Sequence, residues 1–98
     1  MTREDFLKKW GGKFPSDTPD VPIEYRLDIP KAWYPLVDRL FTAIFAYLVQ
    51  RPSVGPVMIL QVKEKFNKLR VYYDGGDDTI RGFVIMAELV SQIIEPKN

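Results

Sequence analysis

Residues 57–73 read VMILQVKEKFNKLRVYY, and the reading of this stretch decides the fold. Two runs of alternating character flank Asn67-Lys68, the pattern of a β-hairpin closed by a two-residue turn. Turning the chain at Asn67-Lys68 sets Phe66 against Leu69, Lys65 against Arg70, Glu64 against Val71, Lys63 against Tyr72 and Val62 against Tyr73. Strand side chains alternate with a period of two. Met58, Leu60, Val62, Phe66, Leu69, Val71 and Tyr73 are therefore expected on one face together with Glu64, and Gln61, Lys63, Lys65, Arg70 and Tyr72 on the other. Such a hairpin needs an apolar layer on one side and offers cations on the other.

The layer is supplied by the flanking sequence. Upstream, residues 32–50 place Leu36, Val37, Leu40, Phe41, Ile44, Phe45 and Leu48 at helical spacing, with Pro35 tolerated in the first turn. This predicts the central core helix. Residues 51–56, RPSVGP, stop it, and Asp74-Gly75-Gly76 stop the second strand. A last helix follows, capped by Asp77 or Asp78 and running to residue 94 or 95. Its apolar positions, from Ile80 through Val84, Met86 and Leu89 to Ile93, cover more than one face, which leaves one side for a partner subunit. A homodimer through this helix is the expectation.

Further out, Thr2 caps a short helix over residues 3–10, with Glu4 and Asp5 at its positive end and Gly11-Gly12 closing it. Prolines at 15, 19, 22 and 30 block helix across residues 14–30 and predict an irregular arm. Within the arm Ile23, Tyr25, Leu27 and Ile29 alternate with Glu24, Arg26 and Asp28, a half-buried strand pattern able to pair with the hairpin edge. The expected architecture is one α+β domain over residues 1–98: residues 1–30 as helix and arm, residues 31–98 as a helix-hairpin-helix core. No internal repeat is present.

Composition narrows the function classes. The chain has 98 residues, 46% hydrophobic and 28% charged, as an ordinary soluble domain does. Its formal net charge is +1, so any electrostatic function must come from local clustering, and nucleic acid is not expected as the main partner. It contains no Cys and no His. That removes thiol nucleophiles, thiolate metal sites and the side chain best suited to proton transfer near neutral pH, so no enzyme, no cofactor and no catalytic residue is expected. The start MTREDFLKKWGG lacks the apolar segment of a secretory signal, and residues 33–49 include Asp38 and Arg39, so neither export nor a membrane span is expected. The cytoplasm is the expected location.

Four residues form the candidate ligand-binding set: Lys63, Lys65, Arg70 and Tyr72. Two lysines as point charges, one guanidinium fork and one ring suit a phosphorylated, nucleotide-like molecule. The same residues also suit an ordinary solvated sheet face whose charges discourage edge pairing, or pairing with internal acids such as Asp38 or Glu88. Glu64 sits amid apolar neighbours, either buried as an acid-base group with a raised pKa or, more commonly for such positions, at the sheet margin or paired with Arg39 or Arg81. Asp74, Asp77 and Asp78 do not match the calcium-loop spacing, so no metal is expected. Trp10, Trp33, Tyr34, Tyr47, Tyr72 and Tyr73 are many rings for so short a chain, and core filling accounts for most of them.

The string Gln61 through Tyr73, QVKEKFNKLRVYY, followed by an acidic Gly-rich turn and a helix, resembles a group of small phage and prophage proteins sharing roughly [IV]-K-E-K-[FW]-G-x-L-R-[FV]-Y. The resemblance covers the hairpin and, more loosely, Trp33-Tyr34-Pro35-Leu36 and the trailing helix. Asn67 stands where the group usually has Gly, a mild departure because Asn tolerates positive φ. The cysteine pairs found toward the C-terminus of many members have no counterpart here, so no zinc role is carried over. The resemblance implies a phage accessory protein in a bacterial host cytoplasm, and suggests host defence as the source of the phosphorylated ligand read from the cationic face. The alternative is an interaction module that binds and inhibits a host protein through the surplus apolar surface around Leu89 and Ile93.

Overall fold

The computed structural model describes residues 1–14 and 26–94. Among the described residues three helices and a three-stranded mixed sheet form the expected α+β arrangement. The elements run α1 (Arg3–Trp10), β1 (Leu27–Asp28), a 3-10 turn (Lys31–Trp33), α2 (Tyr34–Gln50), a second 3-10 turn (Pro52–Val54), β2 (Val57–Lys65), β3 (Lys68–Gly75) and α3 (Asp78–Ser91). Sheet order is β1-β2-β3.

Local chemistry accounts for the helices. In α1 the Thr2 hydroxyl accepts from the Asp5 N–H at 3.1 Å and the Asp5 carboxylate accepts from the Thr2 N–H at 3.4 Å, so two otherwise orphaned donors satisfy each other's residues. Phe6 and Trp10 are its buried residues. Phe6 stacks on Tyr34 with ring centroids 4.9 Å apart, and Trp10 meets Phe41 edge-on at 5.3 Å. The helix α2 buries Tyr34, Val37, Leu40, Phe41 and Ile44, as its periodicity predicts. Leu36 and Leu48 pack partly against the core, whereas Phe45 is exposed. Of the two candidate caps for α3, Asp77 takes the role, accepting from Thr79 and Ile80 N–H. The α-helix ends at Ser91 and continues as turn to Ile94; residue 95 lies outside the described residues.

β1 runs parallel to β2, with Leu27 beside Val62 and Asp28 beside Lys63. A parallel pair needs a crossover, and α2 provides it. Of the strand expected over residues 23–29, two residues are strand; residues 23–25, like most of the arm, lie outside the described residues. Arg26, expected on the polar side of that strand, is instead buried, with its Nη2 donating to the Ile59 carbonyl. Its guanidinium supplies a donor to β2 where the two-residue β1 stops short.

The hairpin closes one residue earlier than its sequence suggests. Lys65 pairs with Lys68, and the turn is Phe66-Asn67, with φ of 54° and 63°, the double positive φ of a type I′ turn. Val62 then faces Val71, Lys63 faces Arg70 and Glu64 faces Leu69. Relative to the expected pairing this slips one strand by two residues, which preserves the faces. Near the bulge the faces do change. The register breaks between Ile59 and Gln61, so Leu60 is the extra residue, and Val57 and Ile59 are buried where Met58 and Leu60 were expected to be. Beyond it Gly75 pairs with Val57 at a φ of 86°. A Cβ there would lie 2.3 Å from the Pro56 carbonyl oxygen, so only glycine fits.

α2 and α3 cover the inner sheet face of Val57, Ile59, Val62, Leu69 and Val71. Two side-chain contacts anchor α3 to β3: Ser91 Oγ accepts from the Leu69 N–H at 3.0 Å and Glu88 Oε2 from the Val71 N–H at 3.0 Å. Among the described residues no helix is long and apolar enough to cross a membrane.

Candidate anion-binding face

The outer face of the hairpin carries four cations. Lys63, Lys65 and Arg70 stand there as their alternation predicts, and Lys68, expected in the turn, joins them opposite Lys65. The pairing makes two cross-strand cation pairs, Lys63 with Arg70 and Lys65 with Lys68. Directly opposed like charges disfavour the pairing, so an anion bound between them would relieve a repulsion already present.

Tyr72 lies on the same face opposite Gln61, and Lys63 Nζ sits 5.5 Å from its ring centroid. Phe66, expected in the apolar layer, is 82% exposed at the hairpin tip, with Lys65 Nζ 5.9 Å from its ring. A bulky aromatic at positive φ is conformationally costly, and nothing in the core repays it. Phe66 and Lys68 are the residues that sequence reasoning missed. The signal for both was Asn67, whose tolerance of positive φ suits either turn position.

The acids are placed elsewhere. Glu64 is exposed at the sheet margin, the more common of the placements expected for it, where its carboxylate accepts from the Asn67 N–H at 2.7 Å; it is neither a buried acid-base group nor paired with Arg39 or Arg81. Asp38 accepts from Lys9 Nζ at 2.7 Å and from Trp10 Nε1 at 2.9 Å. Burial pushes the Asp38 carboxyl up, but those two hydrogen bonds and the charges of Lys9 and Arg39 outweigh it and hold it below the ordinary carboxylate value. Asp77 accepts from the Tyr47 hydroxyl at 2.6 Å, which together with its capping bonds lowers its pKa despite some desolvation. Asp38 and Glu88, considered as partners for the cationic face, are thus engaged on the far side of the sheet.

Among the described residues the ion pairs are Arg3 with Asp28 and Lys9 with Asp38. Asp28 borders the cationic face beside Lys63 but is held by Arg3 at 3.3 Å. Asp74 stands at the opposite end of the face from the tip, across from Met58, with its carboxylate on the Gly75 N–H. No group of three metal-ligating side chains comes together among the described residues. Trp10, Trp33 and Tyr34 are core residues, so Tyr72 and Phe66 are the rings open beside the cations.

A second surface lies on the opposite side of the molecule. Leu36, Leu40 and Ala43 of α2 and Phe83, Met86 and Val90 of α3 line an open groove of about 190 Å³, with Arg39 at its rim.

Comparison with family models, with curated proteins and with solved structures gives no match. The functional reading therefore rests on the geometry of these two surfaces.

Proposed function

We propose that the chain is a non-catalytic binding protein whose outer hairpin face takes up a phosphorylated, nucleotide-like anion. The observation that carries this reading is the convergence of Lys63, Lys65, Lys68 and Arg70 on one sheet face, with no ion-pair partner for any of them among the described residues. Arg70 offers a planar fork and the lysines mobile point charges. Phe66 and Tyr72 flank the cations at either end, placed to stack on a base. The face is open rather than concave, so the ligand is held from one side and its binding is sensitive to salt. The proposed setting, capture of a phosphorylated signal of host defence, rests on the resemblance to phage proteins.

Calorimetric titration with ATP, inorganic triphosphate and a short single-stranded oligonucleotide tests the reading. Binding of ATP that disappears in a Lys63→Gln/Arg70→Gln variant supports it. Phe66→Asn, which suits positive φ, should weaken ATP while leaving triphosphate unchanged. Absence of binding to any of the three overturns it, and tight salt-resistant binding of the oligonucleotide alone replaces it with nucleic-acid recognition. The groove between α2 and α3 supports a second reading, protein association through that side of the molecule.

A further inference from the structure

The exposed side of α3 contains a residue choice that the isolated chain does not explain. Gly82 lies inside the helix, where glycine is disfavoured relative to alanine, yet a Cβ built on it meets nothing within 4 Å. Among the described residues no contact requires the missing side chain. Beside it Ile85, Met86 and Leu89 are 45%, 61% and 55% exposed, and Ile93 is 84% exposed. From Gly82 to Ile93 the solvent-facing positions, completed by Gln92, carry no charge.

We infer that this stripe is the contact between two copies of the chain, packed with their α3 helices antiparallel about a two-fold axis near Ile85 and Met86. In that register Gly82 lies opposite the partner's Leu89 and Ile85 opposite the partner's Met86, and the reverse pairs follow by symmetry. Each glycine notch receives a large side chain. A two-fold interface must be complementary to itself, and a helix carrying a notch and a knob one heptad apart, with the axis midway, meets that condition. Electrostatics agree. No like charges oppose each other along the stripe, and the two Arg81 side chains stand more than a Debye length apart at physiological salt, their α-carbons separated by roughly 13 Å along the axis alone. The stripe together with the neighbouring groove exposes apolar surface on the order of 500 Å², which, doubled by symmetry to about 1,000 Å², reaches the lower limit for a biological interface. The helix layer lies between this contact and the sheet, so the two cationic faces point outward and each stays open. The inference does not depend on what those faces bind.

Sedimentation of the full chain at about 100 µM, where a micromolar Kd leaves most of it paired, is the first test. The native chain should run as a dimer. Gly82→Gln fills the notch with a good helix former and should weaken the dimer at least about tenfold while the monomer melts no lower than the native monomer; Leu89→Lys should also give a folded monomer. Because the chain has no cysteine, Met86→Cys adds a unique thiol beside the axis, which a short bis-maleimide should link across the dimer, whereas Asp78→Cys, far from the axis, should not link. A native chain that sediments as a monomer overturns the inference. So does a dimer that survives both Gly82→Gln and Leu89→Lys, or one that cross-links through Asp78→Cys as readily as through Met86→Cys.

Discussion

The two faces of one hairpin make opposite use of the same strands. Val62 and Val71 are directly paired and buried under α2 and α3, while one residue along, Lys63 and Arg70 are directly paired on the open side. On the inner face each side chain gains from its neighbours, because apolar contact removes area from water. On the outer face the nearest neighbours repel. The backbone ladder is common to both, so stability belongs to the inner face, and the outer face is free to carry charges that do not stabilise the fold. That separation allows a binding surface to be built, or removed, at little cost to the fold.

The largest effect expected is on the inner face. Leu69→Ala empties a fully buried position and should lower unfolding free energy by about 2–5 kcal/mol, read from the urea midpoint. If the loss is under 1 kcal/mol, the inner face is less tightly packed than its burial indicates. Ser91→Ala should cost about 1–3 kcal/mol, since it leaves the buried Leu69 N–H without its acceptor; the same urea curves report it. On the outer face, Lys63→Gln combined with Arg70→Gln should change stability by no more than about 0.5 kcal/mol, or raise it slightly by relieving repulsion. A loss comparable to that of Leu69→Ala would show that the two faces are not independent.

Acid sharpens the contrast from another direction. The Asp38 carboxyl, on the helical side, is held below its ordinary value, so the native state binds fewer protons than the unfolded chain in the acid range. Its contribution is present above about pH 4 and is lost as pH falls through the native value. Thermal melts between about pH 5 and 2 should therefore fall less steeply in Asp38→Asn than in the native chain. Ligand binding should follow a different curve. With no histidine in the chain, any strengthening of phosphate-monoester binding as pH rises through about 6 comes from the ligand's second ionisation. A phosphodiester should show no such rise, and equal pH dependence for both would place the titrating group on the protein.

Much of this was legible in the residues. Thr2 specified the start of α1, the spacing of Val37, Leu40, Phe41 and Ile44 specified α2, and the Asp77-Asp78 pair marked the start of α3 without choosing between the two caps, because each of these signals acts within one or two turns of chain. Alternation places Lys63, Lys65, Arg70 and Tyr72 together whether the turn is Asn67-Lys68, as the sequence suggests, or Phe66-Asn67, as the structure has it, since a slip of two leaves every side chain on its face. What escaped were Phe66 at the tip, Lys68 on the face, Leu60 in the bulge and Arg26 in the interior. The turn is fixed by a short-range bond that alternation does not register, the Glu64 carboxylate on the Asn67 N–H, and Arg26 is fixed by a partner distant in sequence, the Ile59 carbonyl across the sheet.

The sequence by itself thus determined the order of helices and strands, the division of the hairpin into an apolar and a cationic face, and the absence of thiol and imidazole chemistry. Those properties follow from local spacing and composition. Only the tertiary structure decided the register, the parallel pairing of β1, and the fourth cation and exposed ring at the tip. These depend on which of several locally acceptable pairings best buries Val57, Ile59, Val62, Leu69 and Val71 together. That choice is made by packing among residues far apart in the chain, where no local pattern reaches.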